Sequence, residues 1–363
     1  MATFVPTSGD ELETVAVEET RRRRLSGGQR YILRRLIIYL FTLWGAISLS
    51  FLFVRLIPGD PIEALLTQLE LQGQYQAVDT SEAVSEYYKR EFGLEGSLWS
   101  QYWNYMDRVV LHFDFGPSLL SYPKPATELI MRGLPWTIGL VTVSTVLAWI
   151  VGVISGALVG WTRRSPISGF VTNICLATSN IPGYLFALWF VFIFAYRLGW
   201  FPSNGAYDTS LERGWNIEFI ASLIRYGTLP VLSTALVTST MWLIGTRALV
   251  VNILGEDYLT FAAAKGLTPT QILFKYVMRN AWLPQIQALG LALGAVVSGN
   301  VLIESLFRYP GVGQLLINAA NVKDVNTMMA TTTLLIVMVL TANLLIDLTL
   351  PLFDPRVSYD KDG

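Results

Sequence analysis

The sequence predicts an all-α polytopic membrane protein with six transmembrane helices, and three observations carry this. Hydrophobic residues make up 52% of the 363-residue chain and charged residues only 15%, where soluble domains carry about 25% charge. Six runs, approximately 34–57, 136–161, 170–196, 227–250, 282–306 and 328–353, approach the roughly 20 apolar residues that a helix needs to cross the hydrocarbon core. Basic residues gather beside alternate ends of these runs, as the positive-inside rule requires. Backbone groups in lipid must be satisfied within their own segment, so helices are the reading for such runs.

Residues 1–33 read as a flexible cytosolic tail. An acidic patch (Asp10, Glu11, Glu13, Glu18, Glu19) precedes the run Arg21 to Arg24, followed by Arg30, Arg34 and Arg35. These arginines place the N-terminus in the cytosol and could touch anionic lipid. Six crossings then put Arg163, Arg164, the loop 251–281 and Arg356 on the same side, with both termini cytosolic.

The first span is 34–57, and residues 58–135 form an external segment with helix-like stretches at Pro61–Leu71 and Ser81–Phe92. Its aromatic patch, Trp99, Tyr102, Trp103 and Tyr105, could anchor at the membrane interface, line a binding surface or pack a small core. The core of the chain is 136–353, holding spans two to six. In the second span Gly152, Gly156 and Gly160 recur every four residues, the spacing that lets helices approach closely. Asn180-Ile181-Pro182-Gly183 interrupts the third, where a kink is expected. Asp347 lies inside the sixth span; an unpaired Asp at a helix centre costs about 2.5–3.5 kcal/mol. Arg247 in the fourth span is its expected partner, and Glu304 is expected to pair with Arg55 near the opposite face.

Several chemistries are excluded. One cysteine, Cys175, allows no intrachain disulfide. One histidine, His112, leaves no ligand set for a zinc protease and no base for a His-dependent triad in the membrane segments. A net charge of −1 gives no reason to expect nucleic acid. Leu25-Ser26-Gly27-Gly28-Gln29 spells the signature pentapeptide of ATP-binding cassette ATPases. That function needs a phosphate loop, which this chain lacks, so the chain is not expected to hydrolyse ATP.

The segment Glu256–Pro284 is the most informative. Glu256, Asp257 and Lys265 are charged, while Ala262, Ala263, Ala264 and Gly266 are small. Thr268-Pro269 is a helix start, so the spacing predicts a helix, a break at Gly266, and a second helix entering the fifth span. Periodicity alone leaves two readings, a docking element for a partner or an amphipathic helix on the membrane.

This segment resembles the cytoplasmic coupling loop of ABC importer permeases, and more specifically that of the dipeptide/oligopeptide permease family. The matching positions are Asp257, Tyr258, Ala264, Lys265, Gly266, Leu267, Arg279, Asn280, Ala281, Leu283 and Pro284. Arg55-Leu56-Ile57-Pro58-Gly59-Asp60-Pro61, Phe113-Asp114-Phe115-Gly116-Pro117-Ser118-Leu119, Tyr309-Pro310-Gly311-Val312-Gly313 and Asp354-Pro355-Arg356 resemble further family landmarks in order. The large external segment is similar to that of the first of the two paralogous permeases. One departure is that Thr260 stands where the family's generic Glu-Ala-Ala triplet has glutamate, so Glu256 or Asp257 would supply the acidic contact.

The resemblance implies a permease core, a heterodimer with a second permease, two cytosolic ATPases that bind ATP and magnesium, and an extracytoplasmic solute-binding protein. No cofactor is expected on this chain itself. The ATPase-coupling residues would be Glu256, Asp257, Thr260, Ala263, Ala264, Lys265, Gly266, Arg279 and Asn280, the last two holding the loop to the bundle. The implied setting is a prokaryotic inner membrane. The implied solute is a peptide, with oligosaccharides or nickel chelates as alternatives. An ion-driven transporter and a non-transporting scaffold remain as rival readings.

Overall fold

The computed structural model describes residues 27–56, 82–294 and 300–353. The acidic and arginine-rich stretch up to Ser26, the expected helix Pro61–Leu71 and the C-terminal Asp354-Pro355-Arg356 lie outside the described residues. Among the described residues thirteen α-helices follow in order. They are α1 (Gly27–Arg55), α2 (Glu82–Glu91), α3 (Leu98–His112), α4 (Ala126–Trp161), α5 (Pro166–Ser179), α6 (Gly183–Phe190) and α7 (Ile217–Ile253). Then come α8 (Asp257–Ala264), α9 (Pro269–Ile272), α10 (Met278–Gly294), α11 (Val301–Leu306), α12 (Val312–Asn321) and α13 (Val325–Phe353). Wider π-helical turns extend α6 over Val191–Arg197 and join α9 to α10 over Leu273–Val277.

Four of these, α1, α4, α7 and α13, are each long and apolar enough to cross a membrane. The expected third span is a bent pair instead. α5 and the extended α6 meet at 99°, far more than a kink. Pro182 lacks an N–H, and a residue before proline is steered away from helical backbone, so Ile181-Pro182 ends one helix and starts another. The expected fifth span, 282–306, falls on α10, α11 and residues 295–299 outside the described range.

The centre of the bundle is the parallel pair α4 and α7. A Cβ added at Gly152 would meet the Ser239 carbonyl oxygen at 2.6 Å, at Gly156 that of Leu243 at 2.6 Å, and at Gly160 that of Arg247 at 3.1 Å. The glycine repeat therefore brings two backbones into contact, which a side chain would prevent. Trp149 of α4 donates its indole N–H to the Gln285 carbonyl at 3.1 Å, tying α10 to the pair.

α1 packs antiparallel on α13 along its length. Tyr31 donates to the Asp347 carbonyl, Tyr39 bonds Thr341, and Ser50 bonds Thr332. This pairing corrects the expected charge partners. Asp347 is paired with Arg35 at 2.9 Å, not with Arg247, because the helix beside α13 is α1 rather than α7. Arg55 donates to the Gly93 carbonyl at 3.3 Å and lies over the Phe51 ring, and it does not pair with Glu304. Glu304 is fully buried and accepts from the backbone N–H groups of Gly313 (2.7 Å) and Gln314 (3.4 Å). Both bonds reach Oε2, so the amides at the N-terminus of α12 take the place expected for a cation, while Oε1 is buried without a hydrogen-bond partner among the described residues.

Candidate functional site

Two ends of the bundle differ in build. One carries α2, α3, the segment 113–125, α11, α12 and the first turns of α13. The landmark Phe113–Leu119 serves as a clasp there. Asp114 takes two hydrogen bonds from Arg108 (2.9 and 2.6 Å) and one from the Gly116 N–H. Burial pushes the Asp114 carboxyl up. The Gly116 N–H, the Arg108 hydrogen bond and charge, and the His112 charge outweigh this and hold it below the ordinary value. Ser118 and Thr327 each donate to Asp324 at 2.6 Å, Leu120 N–H adds a third bond, and Asn326 donates to the Pro117 carbonyl.

The opposite end carries the segment singled out by sequence, and it folds into a helical hairpin hung from the bundle. α8 starts at Glu256 with Asp257 in its first turn and stops at Lys265, charges that oppose the helix dipole at both ends. The stop is a Schellman turn: Gly266 N–H bonds the Ala263 carbonyl and Leu267 N–H that of Ala262. Gly266 sits at φ +74°, the left-handed conformation that favours glycine. A Cβ there would meet nothing within 4 Å, so within this chain the conformation, not crowding, asks for glycine. Thr268 and Gln271 then form a reciprocal capping box with Pro269 in the first turn. Thr268-Pro269 was legible in the sequence, and Gln271 three residues on is the signal that completes it.

The hairpin is held by its apolar side. Leu259 and Ala262 of α8, with Ile272, Leu273 and Val277 beyond the turn, pack against Ala157 of α4 and Val250 and Ile253 of α7. Asn280 adds a hydrogen bond to the Tyr258 hydroxyl at 3.0 Å. Arg279 is exposed and has no side-chain bond among the described residues, so the polar tie rests on Asn280 alone.

The outer face collects the remaining expected residues. Glu256, Asp257, Thr260, Ala263, Ala264, Lys265 and Gly266 are all exposed and lie along one side of the hairpin and its turn. Two aromatics join them: Phe261 is 70% and Phe274 64% exposed. Their helical spacing reads as packing, so sequence reasoning had no signal to place them outside. Beside α8, at the α4–α5 turn, a cavity of about 420 Å³ is lined by Arg163 and Arg164. Among the described residues no group of three or more His, Cys, Asp or Glu could hold a metal ion.

A polytopic helical bundle with an exposed, capped hairpin at one end is the frame in which the comparisons fall. Residues 130–359 match the family described as "Binding-protein-dependent transport system inner membrane component". The chain belongs to this family, the permease subunits of ABC importers, and is a non-enzymatic, multi-pass inner membrane component. It is 32% identical over 334 residues to the oligopeptide transport system permease protein AppB of Bacillus subtilis, covering 91% of this chain and 99% of that one. It is 29% identical over 330 residues to the glutathione transport system permease protein GsiC of Escherichia coli K12, with the same coverage. A solved structure described as inward-facing conformations of the MetNI methionine ABC transporter aligns with TM-score 0.50 at 18% identity, covering 64% of this chain and 99% of that one. That likeness concerns the fold.

Proposed function

We propose that this chain is one of two paralogous permeases enclosing a pathway for peptides or solutes of similar size, and that two cytosolic ATPases drive it through the α8–α9 hairpin. The observation that carries this is the division of the hairpin into an apolar face docked on α4 and α7 and an exposed face of small, charged and aromatic residues. A partner seated on that face would move the two central helices together, because the hairpin packs on both. ATP and magnesium would be bound by the partner subunits. Arg30, Arg34, Arg35, Arg163 and Arg164 gather at the hairpin end and support a cytosolic reading of it.

Glu256 and Asp257 would supply the acidic contacts that Thr260 cannot. Relatives named for oligopeptide and glutathione transport favour a peptide-class solute, with selection made largely by the solute-binding protein. The test is reconstitution of the assembled transporter in sealed vesicles. Peptide uptake should require ATP and survive collapse of ion gradients. Uptake that persists without ATP and stops with the gradient would reject the reading, and so would purification of the chain free of any ATPase.

A further inference from the structure

The helix α3 carries an apolar stripe that no other element covers among the described residues. Trp99, Trp103 and Val110 are 68, 53 and 55% exposed. They stand at i, i+4 and i+11, on one face of a helix with a period of 3.6 residues. Met106, at i+7, stands on the edge of this stripe toward the bundle and is buried there. The neighbouring face is mainly polar: Ser100, Asn104 and Asp107 repeat at i, i+4 and i+7 and are all exposed, and Leu111 at i+11, 70% exposed, ends it. The third face packs inward through Tyr105, Met106 and Val109.

The depth of α3 identifies what covers the stripe. Tyr102, on the edge between the buried face and the stripe, bonds the Ser48 hydroxyl at 2.8 Å and meets the Phe51 ring edge-on. Ser48 lies seven residues before Arg55, the last residue of α1, which at the helical rise is about 10 Å inside its end. Trp99 stacks on Tyr102 one turn further toward the chain start of α3. Tyr105 meets Phe51 and bonds Thr333 of α13 at 2.8 Å. α3 is therefore sunk alongside two membrane-crossing helices. On α1, Trp44, Leu49, Leu52 and Phe53 are each about half exposed or more, the kind of apolar surface that a membrane-crossing helix turns to lipid. The stripe of α3 continues that surface.

We propose that α3 is a half-embedded interfacial helix in the leaflet away from the coupling hairpin. Trp99, Trp103 and Val110 contact lipid, and Ser100, Asn104 and Asp107 face water. Tryptophan suits this depth, since its ring is apolar and its N–H can meet headgroups. The proposal rests on α1 and α13 being membrane-crossing, and not on the coupling role of the hairpin.

The test places a nitroxide label on single cysteines in a Cys175→Ala background, with the assembled transporter in phosphatidylcholine–phosphatidylglycerol vesicles. Labels at 103 and 110 should collide several-fold more with oxygen, which concentrates in lipid, than with a water-soluble nickel complex. Labels at 104 and 107 should show the reverse. Higher nickel accessibility at 103 and 110 would overturn the proposal, and so would exclusion of both reagents there, which would mean that another protein covers the stripe. A second readout leaves the fold less disturbed: brominated lipid should quench the wild type more than Trp99→Phe/Trp103→Phe. Equal quenching would also sink the idea. Neither readout needs ATP or uptake, so failure here and failure of the coupling role remain distinguishable.

Discussion

The two ends of the bundle are held by different forces. At the clasp end, buried Ser118, Thr327 and Asp324 exchange short hydrogen bonds, Glu304 caps α12, and Thr137 accepts from the Val312 N–H at 2.8 Å. At the hairpin end, α8 and α9 rest on an apolar cluster with one side-chain bond, Asn280 to Tyr258, joining α8 to α10. Hydrogen bonds are directional and are lost within a fraction of an ångström of misplacement. Apolar burial is non-directional and tolerates small rolling motions at nearly constant area. The molecule is latched at one end and smooth at the other.

The largest effect is expected at the smooth end. Gly266→Arg should abolish ATP-driven uptake while leaving membrane insertion intact, because the long side chain would occupy the surface a partner needs. Gly266→Ala is the control. It places a Cβ in open space and pays only for the left-handed backbone, about 1 kcal/mol, so most uptake should remain. If both variants lose uptake equally, conformation rather than docking is what Gly266 provides.

At the latched end the loss should appear as stability. Asp324→Ala removes the acceptor for Ser118, Thr327 and the Leu120 N–H, leaving buried donors unsatisfied. At about 1–3 kcal/mol for each buried group left unpaired, the thermal midpoint of the assembled complex should fall well below that of Gly266→Ala. A midpoint equal to wild type would show that water replaces the carboxylate and that the clasp is not a latch.

Much of this division was legible in the sequence. Apolar runs add up along the chain, so the long helices could be read directly, and the glycine spacing in α4 named the contact face before α7 was known to fill it. The hairpin was readable because caps are local: Gly266, Thr268 and Pro269 act on their own turns. Charge pairing was not readable. Asp347 finds Arg35 across 312 positions because α1 and α13 are neighbours, and that is a fact of topology, not of spacing. Glu304 was read as a partner for Arg55, whereas its Oε2 takes the amides of Gly313 and Gln314. Pro310-Gly311 just ahead of them was the available sign of a helix start with free donors.

Acid should loosen the clasp. Asp114 titrates below its ordinary value in the folded chain, so its contribution is present above the unfolded carboxylate pKa of about 3.9. It is lost as pH falls through the folded value. Asp114→Asn should flatten that part of the acid stability profile while leaving the neutral-pH response of the hairpin variants unchanged. An unaltered acid profile would assign the clasp's pH sensitivity to other carboxylates.

The smallest effect belongs to the Arg35–Asp347 pair, and it sharpens the comparison because the pair lies at the hairpin's end of the bundle. Both side chains are more than a third exposed, at 40 and 35%, so the coupling should be about 1 kcal/mol or less. In a double-mutant cycle, Arg35→Gln and Asp347→Asn should together cost less than the sum of the single changes. The cycle of Arg247→Gln with Asp347→Asn should be additive, since α13 runs beside α1. Non-additivity in the second cycle and additivity in the first would restore the partner expected from sequence. It would also mean that the hairpin end carries a polar lock where the fold shows a smooth joint.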